Sequence, residues 1–310
     1  MDAITDAATG ARCFQTMVPM RDGTRLNTFV FLPPEGGPRF PVILHRTPYG
    51  IAAADARDKF DCTKAWLPNP AEPMRGSILR GWKRIVAEGY GAVYQDCRGR
   101  HGSEGEDRVY ADDAADGYDT LDWIARQPWS NQRVGMSGSS AGATTTFAAA
   151  STRHPSLRAF FAQAGGSSIY DDVVYEGGSI EMERLWLWVA KNIPGLSAAH
   201  REAVLQRSGI GAAELDAARL AEPPFIGSDD WLRLPLAGYP DFATWQPFLD
   251  EIVSHPAPDA FRAPAQFPPH HRHPRISRHQ LVRHFSDQRH RGVPGHPGTH
   301  RHAEIVDRPE

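Results

Sequence analysis

The chain has few cysteines, few lysines and no long apolar run. Cys13, Cys62 and Cys97 are its three cysteines, and their wide spacing excludes a disulfide framework and a CxxC metal site. No window reaches the roughly 18 apolar residues that a membrane-spanning helix needs. The first residues also have neither the basic nor the apolar segment of a secretion signal. We therefore expect a soluble, cytoplasmic protein with reduced thiols.

The charge balance gives no general attraction to polyanions. The 34 basic residues are offset by 37 acidic ones, for a formal net charge of -3. Nucleic acid and membranes are therefore not expected as partners. With 41% hydrophobic residues in 310, the chain is long enough to bury a core. We expect no cofactor and no metal, and function has to be argued from local motifs.

Strands alternate with helices in the first half of the chain, which predicts an α/β fold with a mostly parallel sheet. Residues 17–33 contain two β-rich runs joined at Asp22-Gly23, a hairpin signal. Apolar runs predict further strands, and residues 116–127 have helical spacing. The predicted organisation is an N-terminal extension (1–16), the first part of a core (17–167), a helical lid (168–261) and a disordered tail (262–310).

One short motif indicates chemistry. Gly138-Ser139-Ser140-Ala141-Gly142 is a G-x-S-x-G sequence that follows a predicted strand and precedes a predicted helix. In a nucleophile elbow, the serine lies on a strained turn that exposes its hydroxyl at a helix N-terminus. The alternative is a loop rich in small residues that matches by chance. The strand before the motif and the helix after it favour the elbow.

The surrounding sequence resembles a known family. The segment ADDAADGYDTLDWIARQPWSNQRVGMSGSSAGATT, preceded by RTPYG and QDCRGRHGSEG, is similar to the cocaine esterase, α-amino acid ester hydrolase and X-Pro dipeptidyl-peptidase family of serine hydrolases. The resemblance covers about residues 17–261. It implies an α/β-hydrolase fold with a helical lid insertion, and cleavage of a small-molecule ester or amide through an acyl-enzyme.

The resemblance also implies roles for individual residues. Ser140 would be the nucleophile, and the backbone N–H of Ala141 and the hydroxyl of Tyr49 would form the oxyanion hole. Ala141 departs from the aromatic residue that is usual after the nucleophile. A backbone donor survives that change, although the shape of the pocket need not. Trp186 and Trp188 are expected in the core of the lid rather than in an acyl pocket.

Several acidic residues admit structural roles. Asp96 and Arg98 at a strand end are expected to form a buried ion pair. Asp116, Tyr118 and Asp119 are expected to serve as helix N-terminal caps and in packing. Asp171, Asp172 and Glu176 either face a substrate amine or form a solvated surface of the lid, and the second interpretation is favoured.

The triad aspartate and histidine should follow the lid in chain order. The tail found there instead, residues 269–302, holds nine of the chain's 14 histidines and no periodic pattern. A metal site, a basic nucleic-acid arm and a true triad histidine with Asp287 are alternatives, and none has a scaffold visible in the sequence.

A frameshift explains the tail better. Moving the frame one base forward, with permitted codons, lets residues 270–274 spell Ile-Ile-Asp-Thr-Pro and residues 279–287 spell Thr-Asn-Trp-Tyr-Asp-Ile-Phe-Leu-Thr. These strings resemble the family's sequence around its catalytic aspartate. We therefore expect a fold truncated before its last core strands, with the triad aspartate and histidine absent.

Two consequences follow from a truncated fold. Activity should be impaired, and the alternative is an inactive fragment or non-enzymatic product with a vestigial elbow. An unpaired sheet edge should also cause self-association, which a monodisperse monomer in sedimentation velocity would contradict.

Overall fold

The computed structural model describes the chain in several ranges. They are residues 3–34, 39–51, 81–176, 178–181, 185, 188, 195–209, 211–214, 237–238, 247–256 and 260–262. All of them belong to one compact unit that extends to Pro274. The histidine-rich tail, with the predicted frameshift and Asp287, lies outside the described residues, as does most of the lid helix predicted from Ser179.

Seven strands of the described ranges form one mixed sheet. They are β1 (Ile4–Thr5), β2 (Arg12–Pro19), β3 (Arg25–Leu32), β4 (Phe40–Thr47), β5 (Gly91–Asp96), β6 (Ser130–Ser139) and β7 (Leu157–Gln163). The spatial order is β1-β2-β3-β5-β4-β6-β7. Neighbouring strands in the series β1, β2, β3 and β5 pair antiparallel, whereas neighbouring strands in the series β5, β4, β6 and β7 pair parallel.

The predicted hairpin is present as β2 and β3. Its turn includes Asp22 and Gly23, and Gly23 has a φ of 88°, a conformation that favours glycine. The Met20 N–H donates to the Thr24 carbonyl at 2.8 Å and closes the turn. The hairpin prediction is therefore confirmed, with β2 beginning five residues earlier, at Arg12, than the predicted run.

The direction in which successive strands are added across the sheet reverses at β4. From β4 the chain crosses to β5 on one side, and then passes back over β4 to β6 on the other side. At such a switch point the loops that follow neighbouring parallel strands diverge and leave a crevice at the carboxyl edge of the sheet. The segments that follow β4, β5 and β6 all begin at this edge.

Helices pack on both faces of the sheet. They are α1 (Trp82–Ala87) on one face, and α2 (Asp113–Arg126) and α3 (Ala141–Ser151) on the other. Phe31 and Trp82 stack in the core beneath α1, with ring centroids 4.6 Å apart. On the opposite face, Leu121 and Ile124 of α2 are fully buried in a cluster with Leu44. This layering is the α/β arrangement that the alternating pattern predicted.

The region predicted to form a lid is described in part. A π-helical turn (Tyr170–Val174) leads into the two short strands β8 (Tyr175–Glu176) and β9 (Ser179–Ile180). The lid helix predicted from Ser179 is therefore wrong at its start, because Ser179 pairs with Glu176 across a tight turn.

Two further helices are described in this region, α4 (Ala198–Ser208) and α5 (Pro247–Ser254). Helix α4 coincides with a segment that the sequence pattern predicts to be an amphipathic helix. It begins after Ser197, whose hydroxyl accepts a hydrogen bond from the His200 N–H at 3.1 Å. None of the helices in the described ranges has the length and apolarity that crossing a membrane requires.

Candidate active site

Ser140 lies on a one-residue turn between β6 and α3. Its φ of 55° and ψ of -126° place it in a region that residues other than glycine rarely adopt. Strand β6 ends at Ser139 and helix α3 begins at Ala141, so the strand, the turn and the helix predicted from the sequence are all present. Ser140 is exposed, and the turn presents its hydroxyl at the carboxyl edge of the sheet.

Close packing requires small residues around this turn. A Cβ added to Gly138 would lie 2.0 Å from the carbonyl oxygen of Gly142, well inside contact distance. A Cβ on Gly165, in the loop after β7, would lie 2.5 Å from the Cβ of Ala143 and 2.7 Å from the Ser140 carbonyl oxygen. Gly138 in the motif and Gly165 after β7 therefore permit backbone segments to approach closely at this turn.

Backbone hydrogen bonds hold the turn on both sides. The Ser140 N–H donates to the carbonyl of Gln163 at 2.9 Å, which continues the pairing of β6 with β7 by one residue. The Ser140 carbonyl accepts from the Ala143 N–H at 2.9 Å, in the first turn of α3. The unusual dihedral angles are therefore fixed by the strand before Ser140 and by the helix after it.

The Tyr49 hydroxyl lies 3.2 Å from Ser140 Oγ. Tyr49 follows β4, and its backbone N–H donates to Thr47 Oγ1 at 3.1 Å. Because β4 and β6 are parallel neighbours, residues that follow their carboxyl ends lie side by side. The structure thus brings together two residues that are 91 positions apart in the sequence.

The Ala141 N–H is the first donor of α3. The first N–H groups of a helix have no acceptor within the helix, and they carry the positive end of its dipole. Ala141 is buried, at 4% exposure, directly after Ser140. An oxyanion formed on a carbonyl attacked by Ser140 would therefore have two kinds of donor nearby, a backbone N–H and the Tyr49 hydroxyl.

A histidine lies beneath the elbow but is not placed to act as its base. A Cβ on Gly142 would lie 3.4 Å from Nε2 of His45, so the imidazole packs under the first turn of α3. Burial lowers the pKa of His45 to about 4, and the ring is therefore neutral at pH 7. Within the described ranges, no histidine lies at hydrogen-bond distance from Ser140 Oγ.

A buried ion network includes Arg46, near the carboxyl end of β4. Arg46 is fully buried, its guanidinium lies 2.9 Å from an Asp113 carboxylate oxygen, and it lies 3.7 Å from Asp116. Arg98 contacts Asp116 and Asp22, each at 2.6 Å. Burial raises the pKa of Asp113 to about 6, and the nearby Arg46 charge opposes that rise. The network joins β4 to α2 and to the β2–β3 turn.

Two expectations from the sequence are wrong here. Arg98 pairs with Asp116 and Asp22 rather than with Asp96, which instead accepts a hydrogen bond from Asn27 Nδ2 at 2.8 Å. Asp116 packs as expected but is not a cap, because α2 begins at Asp113 and Asp116 lies within its first turn, buried against Arg98. The position of Asp96 and Arg98 at a strand end predicts that they pair, but in the fold the partners of Arg98 come from the β2–β3 turn and from α2.

Asp171 and Asp172, in the segment after β7, form hydrogen bonds with nearby serines of the same segment. Asp172 accepts hydrogen bonds from the N–H groups of Ser167 at 2.7 Å and Ser168 at 2.9 Å, and Ser168 Oγ donates to Asp171 at 2.9 Å. Both carboxylates are exposed. This turn fits the solvated surface that the sequence favoured over an amine site.

A small cavity lies beside Pro48. Trp188 stacks on Tyr110 at one wall, with ring centroids 6.1 Å apart, and Asp113 forms part of another. Trp186 lies outside the described residues. The cavity's volume of about 20 Å³ holds about one water molecule and is too small for an ester substrate. Across the described part of the chain, no group of three or more His, Cys, Asp or Glu side chains is arranged to hold a metal ion.

Comparisons with known proteins show what this chain is similar to. The sequence model of the X-Pro dipeptidyl-peptidase family (S15 family) matches residues 22–272. Cocaine esterase from Rhodococcus sp. (strain MB1 Bresler) is 34% identical over 256 residues, which are 78% of this chain and 38% of that protein. This chain therefore spans well under half the length of that relative.

Solved structures extend the comparison to the fold. An aminopeptidase from the marine sediment archaeon Thaumarchaeota archaeon matches 86% of this chain and 41% of its own, with a TM-score of 0.56 and 24% identity. An α-amino acid ester hydrolase matches 82% of this chain and 42% of its own, with a TM-score of 0.48 and 26% identity. Together with the strand order, the match to the aminopeptidase structure confirms the predicted α/β-hydrolase fold.

Proposed function

The chain belongs to the X-Pro dipeptidyl-peptidase (S15) family of hydrolases, and we propose that Ser140 is the nucleophile with which it cleaves an ester or amide bond. The observation that supports this most directly is the strained turn at Ser140, with the Tyr49 hydroxyl 3.2 Å from its Oγ. An exposed serine in a sparsely populated backbone conformation, facing a second hydroxyl, is typical of a nucleophile elbow.

The reaction follows from these positions. Ser140 Oγ attacks the substrate carbonyl carbon, and a base accepts the Oγ proton. The negative charge that develops on the carbonyl oxygen is stabilised by the Tyr49 hydroxyl and the Ala141 N–H. Collapse of the tetrahedral intermediate breaks the bond to the alcohol or amine, which leaves with a proton. Water then attacks the acyl-enzyme, releases the acid and restores Ser140.

The base in this scheme is the part that the described residues do not supply. The family's chain order requires an aspartate and then a histidine beyond the lid, in the segment that we interpret as out of frame. Losing triad members removes several powers of ten of rate, although an intact oxyanion hole keeps some of it. We therefore propose an impaired hydrolase, with a vestigial elbow as the alternative.

Ser140 should react slowly but selectively with a fluorophosphonate probe. The oxyanion donors stabilise the phosphonylation transition state even where a base is missing, so stoichiometric labelling over hours is expected. Mass spectrometry of the intact protein and of its peptides would locate the adduct. Ser140→Ala should remove it, while Ser139→Ala, one residue away, should retain it. Labelling spread over several serines, or none at all, would favour the vestigial elbow.

The gene should carry a second open frame across the tail. One base forward from the frame that encodes residues 270–287, we expect an uninterrupted sequence with the two strings given above, including an Asp that spans the codons of Arg283 and His284. Sequencing the gene across the codons of residues 255–310 tests this. A stop codon in that frame, or a translation unlike a strand followed by Asp, would remove the frameshift hypothesis.

A further inference from the structure

The imidazole ring of His101 lies between two glycines. A Cβ added to Gly50 would lie 2.6 Å from His101 Cε1, and a Cβ added to Gly195 would lie 2.8 Å from His101 Nε2. Gly50 directly follows Tyr49, and Gly195 lies just before α4 of the lid. The ring therefore fills the space between the segment that carries the Tyr49 hydroxyl and the start of the described lid helix.

His101 also forms a hydrogen bond to the segment before Tyr49. Its Nε2 lies 3.0 Å from the Pro48 carbonyl oxygen, and Arg100 Nε donates to the same oxygen at 3.2 Å. A carbonyl oxygen only accepts hydrogen bonds, so His101 Nε2 must carry a proton and donate it. The Pro48 carbonyl belongs to the planar peptide group that joins Pro48 to Tyr49. Two donors on this oxygen thus fix the plane from which the Tyr49 side chain departs.

The backbone of His101 is fixed as well. Its N–H donates to the Gly195 carbonyl at 2.7 Å, and the Ser197 N–H donates to the Gly99 carbonyl at 2.8 Å. His101 has a φ of 48°, in the left-handed region that residues other than glycine rarely occupy. The loop after β5 is therefore joined to the segment before α4, and the imidazole is held against Pro48.

We propose that His101 is a positioning residue, whose N–H to the Pro48 carbonyl aims the Tyr49 hydroxyl at Ser140, with Gly195 of the lid holding the ring in place. The inference rests on the proposed function, because it assigns Tyr49 to the oxyanion hole. The inference adds that the segment before α4 influences the position of the Tyr49 hydroxyl through the imidazole of His101. His101→Phe and His101→Gln separate the two contributions of this side chain, since Phe keeps a planar ring without the donor and Gln keeps a donor without the ring.

The first measurement is the fluorophosphonate labelling rate of Ser140. His101→Phe should lower the rate about tenfold, which is part of the 10²- to 10³-fold loss typical when an oxyanion donor is removed entirely. His101→Gln should recover most of the rate. In a Tyr49→Phe background His101→Phe should have no further effect, because the hydroxyl that it positions is gone. Additive losses in the double variant would overturn the proposal.

The second measurement needs no reactivity. With 3-fluorotyrosine at all eight tyrosines, Tyr49→Phe identifies the fluorine resonance of Tyr49. That resonance should shift in His101→Phe and return in His101→Gln. The control is His154→Phe, because the His154 ring lies against Tyr118, at 4.6 Å between centroids, and should move only the Tyr118 signal.

The two measurements separate the inference from the proposed function. A protein that does not label at Ser140 would contradict the proposed function, while the fluorine spectra would still decide the role of His101. A Tyr49 resonance that stays in place in folded His101→Phe would overturn the inference. If His101→Phe does not fold, His101→Leu, which is smaller and also lacks the donor, takes its place with the same expected shift.

Discussion

Replacing Arg46 by methionine should lower the free energy of unfolding by about 3–5 kcal/mol. The guanidinium is fully buried and lies close to the carboxylates of Asp113 and Asp116. Removing one partner of a buried pair leaves the other charge uncompensated, and the cost is of this size. Arg46 Nε also donates to Gln95 Oε1 at 2.8 Å, so the variant loses a link between β4 and β5 too. Urea unfolding at pH 8, followed by tryptophan fluorescence, measures the change.

The loss of unfolding free energy caused by Arg46→Met should become smaller as the pH falls. The pKa of Asp113 in the folded protein, about 6, already lies above the ordinary value of 3.8. The stability linked to this group is therefore full below pH 4 and is lost as the pH rises through 6. Without Arg46 the pKa rises further, and a protonated Asp113 needs no counter-charge. The deficit at pH 5 should accordingly be smaller than at pH 8.

Arg126→Met is the matched control for this prediction. Arg126 forms an ion pair with Asp122 on the surface of α2, with the arginine side chain 71% exposed. Exposed pairs contribute little, so the change should stay within about 0.5 kcal/mol at either pH. Equal effects of the two substitutions, or a deficit for Arg46→Met that grows on acidification, would contradict the role given to the buried network.

Local signals in the sequence were sufficient for the elbow and for the hairpin. A turn residue with positive φ, glycine at positions of close approach and a change from strand to helix pattern are all properties of neighbouring residues. The sequence therefore placed Ser140 and the Asp22-Gly23 turn without knowledge of the fold. The contact between Tyr49 and Ser140 was different, because no local pattern links residues 91 positions apart. It was available only through the family resemblance.

The ion network and the position of His101 were not predictable in this way. The position of Asp96 and Arg98 at a strand end predicts that they pair, but Arg98 instead contacts Asp116, which lies on the helix α2. Arg46 had no sequence signal apart from a charge inside an apolar strand. His101 depends on two glycines from separate segments, Gly50 and Gly195. Such contacts are set by the assembly of elements.

The two glycines of the elbow motif should respond oppositely to alanine, and Gly138→Ala should disrupt the site. Its new Cβ would lie 2.0 Å from the Gly142 carbonyl oxygen and 2.2 Å from the Gly142 carbonyl carbon, both of which are backbone atoms of α3. Relief requires β6 to separate from α3 at Ser140. We expect a loss of at least ~3 kcal/mol in the free energy of unfolding, the upper part of the range for overpacking. Ser140 labelling should be lost in the fraction that still folds.

Gly142→Ala should be tolerated, although Gly142 belongs to the same motif. Its nearest contacts to a new Cβ are the Arg46 carbonyl oxygen and His45 Nε2, each at 3.4 Å, which is ordinary contact. Gly142 is the second residue of α3 and its φ lies outside the left-handed region, so alanine should stabilise the protein by about 0.4–1 kcal/mol through the lower entropy of the unfolded chain. Urea unfolding should therefore show unchanged or higher stability, with Ser140 still labelled. Equal damage from both substitutions would mean that the motif is sensitive to any added volume, and that the approach of Gly138 to the Gly142 carbonyl is not what restricts it.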